Sequence, residues 1–326
     1  MSDWRGAVHR QPANLAAAAQ AFSDAIGEVD LERLRRGTIV FAGIGASAHA
    51  LIPAVLALRS AGRRAFALQA TELDHPGADE LADAFVLVSQ SGASTETVAA
   101  LERIGGMPMV AISARGDSPL AEASTAWLPL GPEPDTPVAT LSYTATLQTL
   151  GMLCDALLRA TGPVWARLPS LAEQVLEAGA EPARELADTF AGVTGVECVG
   201  GGPGLASARE TALLAREALR LPATGMETRE YLHGPLEAVA PGSGAVIFGR
   251  ERERSLALEM ASFGAHVALV GDRNQDTPGF RLPEVPAIAA PILQILPVQL
   301  LIDELADRRG LTIGELRRHQ DDTKLA

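Results

Sequence analysis

Phe85-Val86-Leu87-Val88-Ser89-Gln90-Ser91-Gly92-Ala93-Ser94-Thr95-Glu96-Thr97 runs four apolar residues straight into a burst of hydroxyls around one glycine. An alanine-rich segment with helical spacing follows, Val98 to Ile104. The stretch reads as a buried strand, a tight hydroxyl-lined turn, and a helix whose N-terminus opens on that turn. Free backbone N–H groups, hydroxyls and the positive end of a helix dipole meet there, which suits a dianionic phosphate without a lysine. Ser89, Gln90, Ser91, Ser94 and Thr95 are the phosphate candidates, with Ser47 from a neighbouring turn. The same residues also fit an ordinary hydroxyl-rich helix start, with Ser94 ahead of Glu96.

Outward from this stretch, strands and helices alternate. Thr38–Ala42 reads as the first strand, Gly43 and Gly45 as its turn, and Ala48–Leu58 as a helix. Arg63–Gln69, Phe85–Ser89, Pro108–Ser113 and Ala126–Leu130 read as the following strands. Asn14–Ile26 reads as a surface helix. A proline- and acid-rich loop, Gly131–Pro137, precedes Val138–Thr144 and a long apolar helix to about Ala160. From Leu171 to Phe190 the pattern gives helical linker segments interrupted by Pro182. The order then returns: strand and glycine turn at Val196–Gly204, helix at Ala206–Leu219, strands at Ala245–Arg250 and Ala265–Val270. The glycine turn and the later strand are about seventy residues apart in both halves. The expected fold is α/β, with two similar doubly wound parallel-sheet subdomains and helices on both faces. The expected domains are 1–165 and 166–326. Ligands in such sheets bind beyond the strands' carboxyl ends, where the connections reverse.

With 326 residues and 47% hydrophobic content, the chain can bury ample core. A net charge of −13 argues against a nucleic-acid surface, which needs a basic footprint. Cys154 and Cys198 show no metal-ligand spacing and read as core thiols of a reducing compartment. There is no basic stretch followed by a long apolar run near the N-terminus, so no secretory signal is expected. Thr38–Leu58 is long enough to span a bilayer, but Gly43-Ile44-Gly45-Ala46-Ser47 breaks it. The expected setting is cytoplasmic, with no membrane partner. Gly43-x-Gly45 fails as a dinucleotide fingerprint, because the third glycine is missing and no acidic residue ends the next strand.

A second constellation is Glu217 with His233. Glu217 lies on the helix after the second glycine turn, with Glu210 two turns earlier on the same face. At ~1.5 Å rise per residue the two are ~10 Å apart, too far for a close carboxylate dyad. His233 stands in Tyr231-Leu232-His233-Gly234-Pro235-Leu236, a rigid loop, and imidazole moves protons near neutral pH. Taken alone, Glu217 also fits a solvated helix face, and His233 a capping or surface residue.

Together these positions resemble the sugar isomerase (SIS) family, specifically the isomerase half of glucosamine-6-phosphate synthase and related deaminases and deglycases. Ser89-Gln90-Ser91-Gly92 with Ser94 resembles the family's phosphate-binding SQSG-x-T loop. Gly45-x-Ser47 resembles its GTS turn, Val138-Ala139-Thr140 its VAST segment, and His233-Gly234-Pro235-Leu236 its HGPL loop. Glu217 falls sixteen positions before His233, the family spacing for the carboxylate that shuttles a proton between sugar C1 and C2. The resemblance covers nearly the whole chain and implies two SIS-type subdomains. It implies that Glu217 is the base on an open-chain sugar phosphate and that His233 assists ring opening. Gly45, Val138, Ala139, Thr140, Glu230 and Lys324 would line the substrate. It further implies a homodimer with the site near the subunit interface, and no metal or organic cofactor.

The sequence departs from the family in several places. No glutaminase domain with an N-terminal cysteine nucleophile is found, which speaks against glutamine-dependent synthesis. The synthase's lysine on the Glu217 helix is Leu214 here, and the lysine after VAST is replaced within Leu141-Ser142-Tyr143. The tail Arg317–Lys324 differs from the family's lysine-bearing tail, and Lys324 is the candidate to stand in for that lysine. The expected function is a sugar-phosphate isomerase, or an amino-sugar-phosphate deaminase or deglycase, acting by a 1,2-proton shift. The alternative is a non-catalytic sugar-phosphate sensor that kept the pocket without the chemistry.

Overall fold

The structure is a computed structural model that describes residues 3–271, 277–318, 320 and 322–324. The first half contains α1 (Trp4–Ala25), α2 (Leu31–Leu34), β1 (Thr38–Gly43), α3 (Ala46–Ser60), β2 (Arg64–Gln69), β3 (Ala84–Val88) and α4 (Thr95–Arg103). It continues through β4 (Met109–Ser113), α5 (Pro119–Glu122), β5 (Ala126–Pro129) and α6 (Leu141–Leu158). After α7 (Val164–Phe190) come β6 (Val196–Gly200), α8 (Gly204–Leu219), β7 (Ala223–Met226), α9 (Thr228–Tyr231) and β8 (Gly244–Gly249). The last elements are α10 (Glu251–Ser262), β9 (His266–Gly271), β10 (Gly279–Arg281) and α11 (Ala290–Arg308).

Two five-stranded sheets result, ordered β2-β1-β3-β4-β5 and β10-β9-β8-β6-β7, and every pairing is parallel. Read from the other edge, the second sheet repeats the first. The repeated order makes each sheet doubly wound, as expected from the sequence. Residues on β3 and β4 are all buried, so both sheet faces are covered. Val40, Ala42, Phe85, Leu87, Met109 and Ala111 pack on one face against Ala100 and Leu120 from α4 and α5. The residues alternating with them, such as Phe41, Val86 and Ile112, are buried on the other.

The chain divides into two compact units. The first comprises Ala13–Pro134, Leu141–Leu168 and the tail from Arg317. The second comprises the chain start through Pro12, Asp135–Thr140 and Pro169–Leu316. In the first, α3 packs against α6; in the second, α8 packs against α11. Cys154 and Cys198 are buried and unpaired.

Two helices differ from their sequence reading. The first begins at Trp4, ten residues before Asn14; Ala7, Val8, Leu15, Ala18 and Phe22 form its buried face, while Ala13, Ala16, Gln20, Ser23 and Asp24 are exposed. The region from Val164 to Phe190 is one continuous helix rather than segments broken at Pro182. A proline removes only one helical N–H, and a helix in a protein is held chiefly by its packed face. Leu168, Leu171, Ala172, Val175, Leu176, Ala183, Leu186, Ala187 and Phe190 form that buried face at helical spacing. Among the described residues, no helix is long and apolar enough to cross a membrane.

Candidate functional site

In the first sheet the connections reverse between β1 and β3, so the turns after these two strands lie side by side. Gly45 takes φ +57° ahead of α3, and a Cβ on Gly43 would come 3.0 Å from Ser47 Cβ and 3.1 Å from the Val88 carbonyl oxygen. The close passage of these backbones brings the Gly45–Ser47 turn against the end of β3. Ser47 itself is half-buried.

The loop after β3 is held by its own backbone. Ser89 N–H donates to Ile112 O at 3.1 Å, Gly92 N–H to Ser89 O at 3.0 Å, and Ala114 N–H to Gln90 O at 2.9 Å. Gly92 has φ +67°, and a Cβ there would lie 2.0 Å from Ser118 Oγ, so only glycine fits. The Ser89 and Ser94 hydroxyls are bonded to each other at 2.9 Å, and Ser91 Oγ accepts from Ala93 N–H at 3.2 Å. Ser94 holds the N-cap position of α4 yet makes no capping bond. The ordinary capping reading of Ser94 therefore does not apply. The N–H groups of Glu96 and Thr97 donate to no described residue, which leaves open donors at the positive end of α4.

Thr95 is committed elsewhere. Its N–H donates to Thr323 O at 3.2 Å and its hydroxyl to Asp322 O at 2.7 Å. Ser94 and Lys324 form an antiparallel bridge. The tail is thus stitched along the loop, and exposed Lys324 is tethered beside Ser94. His319 and Asp321 of the tail lie outside the described residues.

In the second unit, Glu217 stands near the C-terminal end of α8, half-buried. Burial pushes its carboxyl up to about 7, and the carboxylate of Glu210 adds to the shift. The negative end of the helix dipole works in the same direction. Glu210 is fully buried, and Leu214 is also in the core. His233 follows α9 and is exposed, with its N–H donating to Glu230 O at 3.0 Å. Gly234 takes φ +135°, a backbone shape open to glycine. Glu230 is exposed too; its N–H is held by the Glu227 carboxylate, which caps α9.

Val138 and Thr140 are fully buried, so of this segment only Ala139 and the backbone can face a ligand. The organiser is Asp135, which sequence reasoning passed over as part of an acidic loop. Its carboxylate accepts from Thr136 N–H at 2.8 Å, from Thr140 N–H at 3.1 Å and from the Thr140 hydroxyl. The spacing Asp-Thr-x-x-x-Thr was the available signal, an acidic side chain followed by hydroxyls and N–H groups within reach.

Residues 34–160 match the model of the SIS domain. The isomerizing glutamine–fructose-6-phosphate aminotransferase of Thermococcus kodakarensis is 27% identical over 93% of this chain and 54% of its own. That of Pyrococcus horikoshii is 30% identical over 83% of this chain and 49% of its own. The chain spans about half the length of the curated relatives it matches. Among solved structures, glucosamine-6-phosphate deaminase from Thermotoga maritima superposes with a TM-score of 0.79 at 20% identity, covering 99% of both chains. Tagatose-6-phosphate ketose/aldose isomerase from Escherichia coli gives 0.79 at 18% identity, covering 97% of both. Residues 34–160 thus match the SIS domain, and the chain as a whole shares the fold of these solved structures, the same doubly wound sheet built twice.

Proposed function

We propose that the chain is a sugar-phosphate isomerase, or an amino-sugar-phosphate deaminase or deglycase, acting by a 1,2-proton shift. Residues 1–165 supply the phosphate grip and residues 166–326 the base, in a homodimer. The observation that carries this reading is Glu217. A carboxyl held up to about 7 is divided between its two protonation states at neutral pH, so it can both take and return a proton. In the open-chain substrate, the Glu217 carboxylate removes the C–H proton next to the carbonyl or imine. The electron pair forms the C=C bond and passes onto the carbonyl oxygen or imine nitrogen, which takes up the proton released, through solvent, by the neighbouring hydroxyl. The protonated Glu217 delivers the C–H proton to the former carbonyl or imine carbon as that hydroxyl becomes the new carbonyl. His233 assists ring opening. Ser47, Ser89, Gln90, Ser91 and Ser94, with the open N–H groups of α4, hold the phosphate, and that binding energy positions the carbonyl end. The names of the relatives, aminotransferase, deaminase and ketose/aldose isomerase, all concern sugar phosphates.

One observation favours a sensor instead: Leu214 buries the position where the synthase has its lysine. Solvent-deuterium incorporation into a panel of hexose and hexosamine 6-phosphates, read by NMR, separates the two. The enzyme reading expects deuterium at C1 or C2 of at least one compound. Saturable binding with no exchange in any of them would establish the sensor.

A further inference from the structure

The second sheet has its own reversal of connections, between β6 and β8, and a cleft opens there. Its volume is 1060 Å³, just above the ~300–1000 Å³ typical of small-molecule sites. The glycine turn Gly201–Gly204 and Arg250 form one side, and α7 and α11 contribute Val175, Ala178 and Leu293 as an apolar wall. Two helices, α8 and α10, begin at its floor.

Where the first unit leaves donors open, this one supplies its own anion. Glu253 Oε2 accepts from Arg250 N–H at 3.2 Å and Glu253 Oε1 from the Thr228 hydroxyl at 2.8 Å. A Cβ on Gly201 would lie 2.8 Å from Glu253 Oε1, so the bare glycine turn admits the carboxylate. A phosphate cannot occupy that point as well. Further out, Arg250 pairs with Glu284 at 3.1 Å, whereas Arg281 pairs with no described residue.

Gln294 is the independent sign of a ligand. It lines the cleft from α11 and is only 8% exposed. Its Oε1 accepts from the Ser207 hydroxyl at 2.6 Å, and its amide N–H groups bond to no described residue. Around it Ile292, Leu293, Ile295 and Leu296 are fully buried and apolar. A buried amide with its donors unspent and directed into a cleft is poised for a polar guest.

We propose that this cleft is a second binding site, for a phosphorylated, hydroxyl-rich small molecule, separate from the Ser89–Ser94 loop. The Arg281 guanidinium takes the phosphate. The Gln294 amide and the free lone pairs of Glu253 take hydroxyls or ring heteroatoms, and the apolar wall takes a ring face. A hexose phosphate and a nucleoside monophosphate share this chemistry.

Titration calorimetry on the full chain tests it, with glucose 6-phosphate, glucosamine 6-phosphate, AMP and UMP as separate probes. At least one probe is expected to occupy a site that Arg281→Ala weakens tenfold or more and Gln294→Met weakens measurably. The Ser89→Ala/Ser91→Ala variant should keep that site. Arg281 is exposed and Gln294→Met keeps the side-chain volume, so both variants fold. The hexose and nucleotide arms distinguish the two sources. If no probe binds up to 10-fold above millimolar concentration, or if binding is unchanged by both substitutions, the proposal is overturned. Loss of all binding in the serine variant alone also overturns it, while leaving the phosphate loop intact as a reading.

Discussion

Glu217 is where environment matters more than identity. Its position and its spacing to His233 were legible in the sequence; its altered acidity was not, because that depends on what α8 packs against. A raised carboxyl binds a proton in the folded chain that it would have released when unfolded. Its stabilising share is therefore complete below the ordinary value of 4.5 and is lost as pH rises through about 7. Glu217→Gln removes this loss. Melting curves should show the variant gaining on the wild type between pH 5 and pH 8, with the difference flat below pH 4.5. The serines of the loop were equally legible, as a hydroxyl cluster behind an apolar strand. Thr95 was not separable from them, since its hydroxyl is taken by Asp322 O, 227 positions away. Ser89→Ala with Ser91→Ala should weaken phosphosugars about tenfold or more and leave unphosphorylated sugars unaffected, as calorimetry would show. Equal losses for both would remove the loop from phosphate binding.

Among the elements, strands buried on both faces gave the clearest signal, because β1, β3, β4 and β8 are short continuous apolar runs ended by glycine or serine. β7 and β10 escaped notice: Ala223-Thr224-Gly225-Met226 and Gly279-Phe280-Arg281 are too short and too mixed to carry a period. The helix α7 shows the opposite limit, where Pro182 outweighed a buried face that only the tertiary structure reveals. Pro182 still leaves one carbonyl without its helical donor. Pro182→Ala is expected to stabilise the chain by about 1–3 kcal/mol, measured by urea unfolding. A loss of stability would mean that the pyrrolidine ring packs more than it breaks.

For the molecule as a whole, the interval of about seventy residues between glycine turn and later strand foretold an internal repeat, and the strand order confirms it in both sheets. The repeat has diverged at its two reversal points. One carries serines and open N–H groups; the other is plugged by Glu253, and the helix behind its glycine turn carries Glu217. Under the proposed function, the first copy supplies the phosphate grip and the second supplies the base. Glu217→Gln keeps the shape of the side chain and removes the base. In deuterated water, with a hexose or hexosamine 6-phosphate that the wild type labels at C1 or C2, NMR should show labelling fall at least 100-fold in the variant while calorimetric affinity stays within about threefold. Labelling at the wild-type rate in Glu217→Gln would contradict the account.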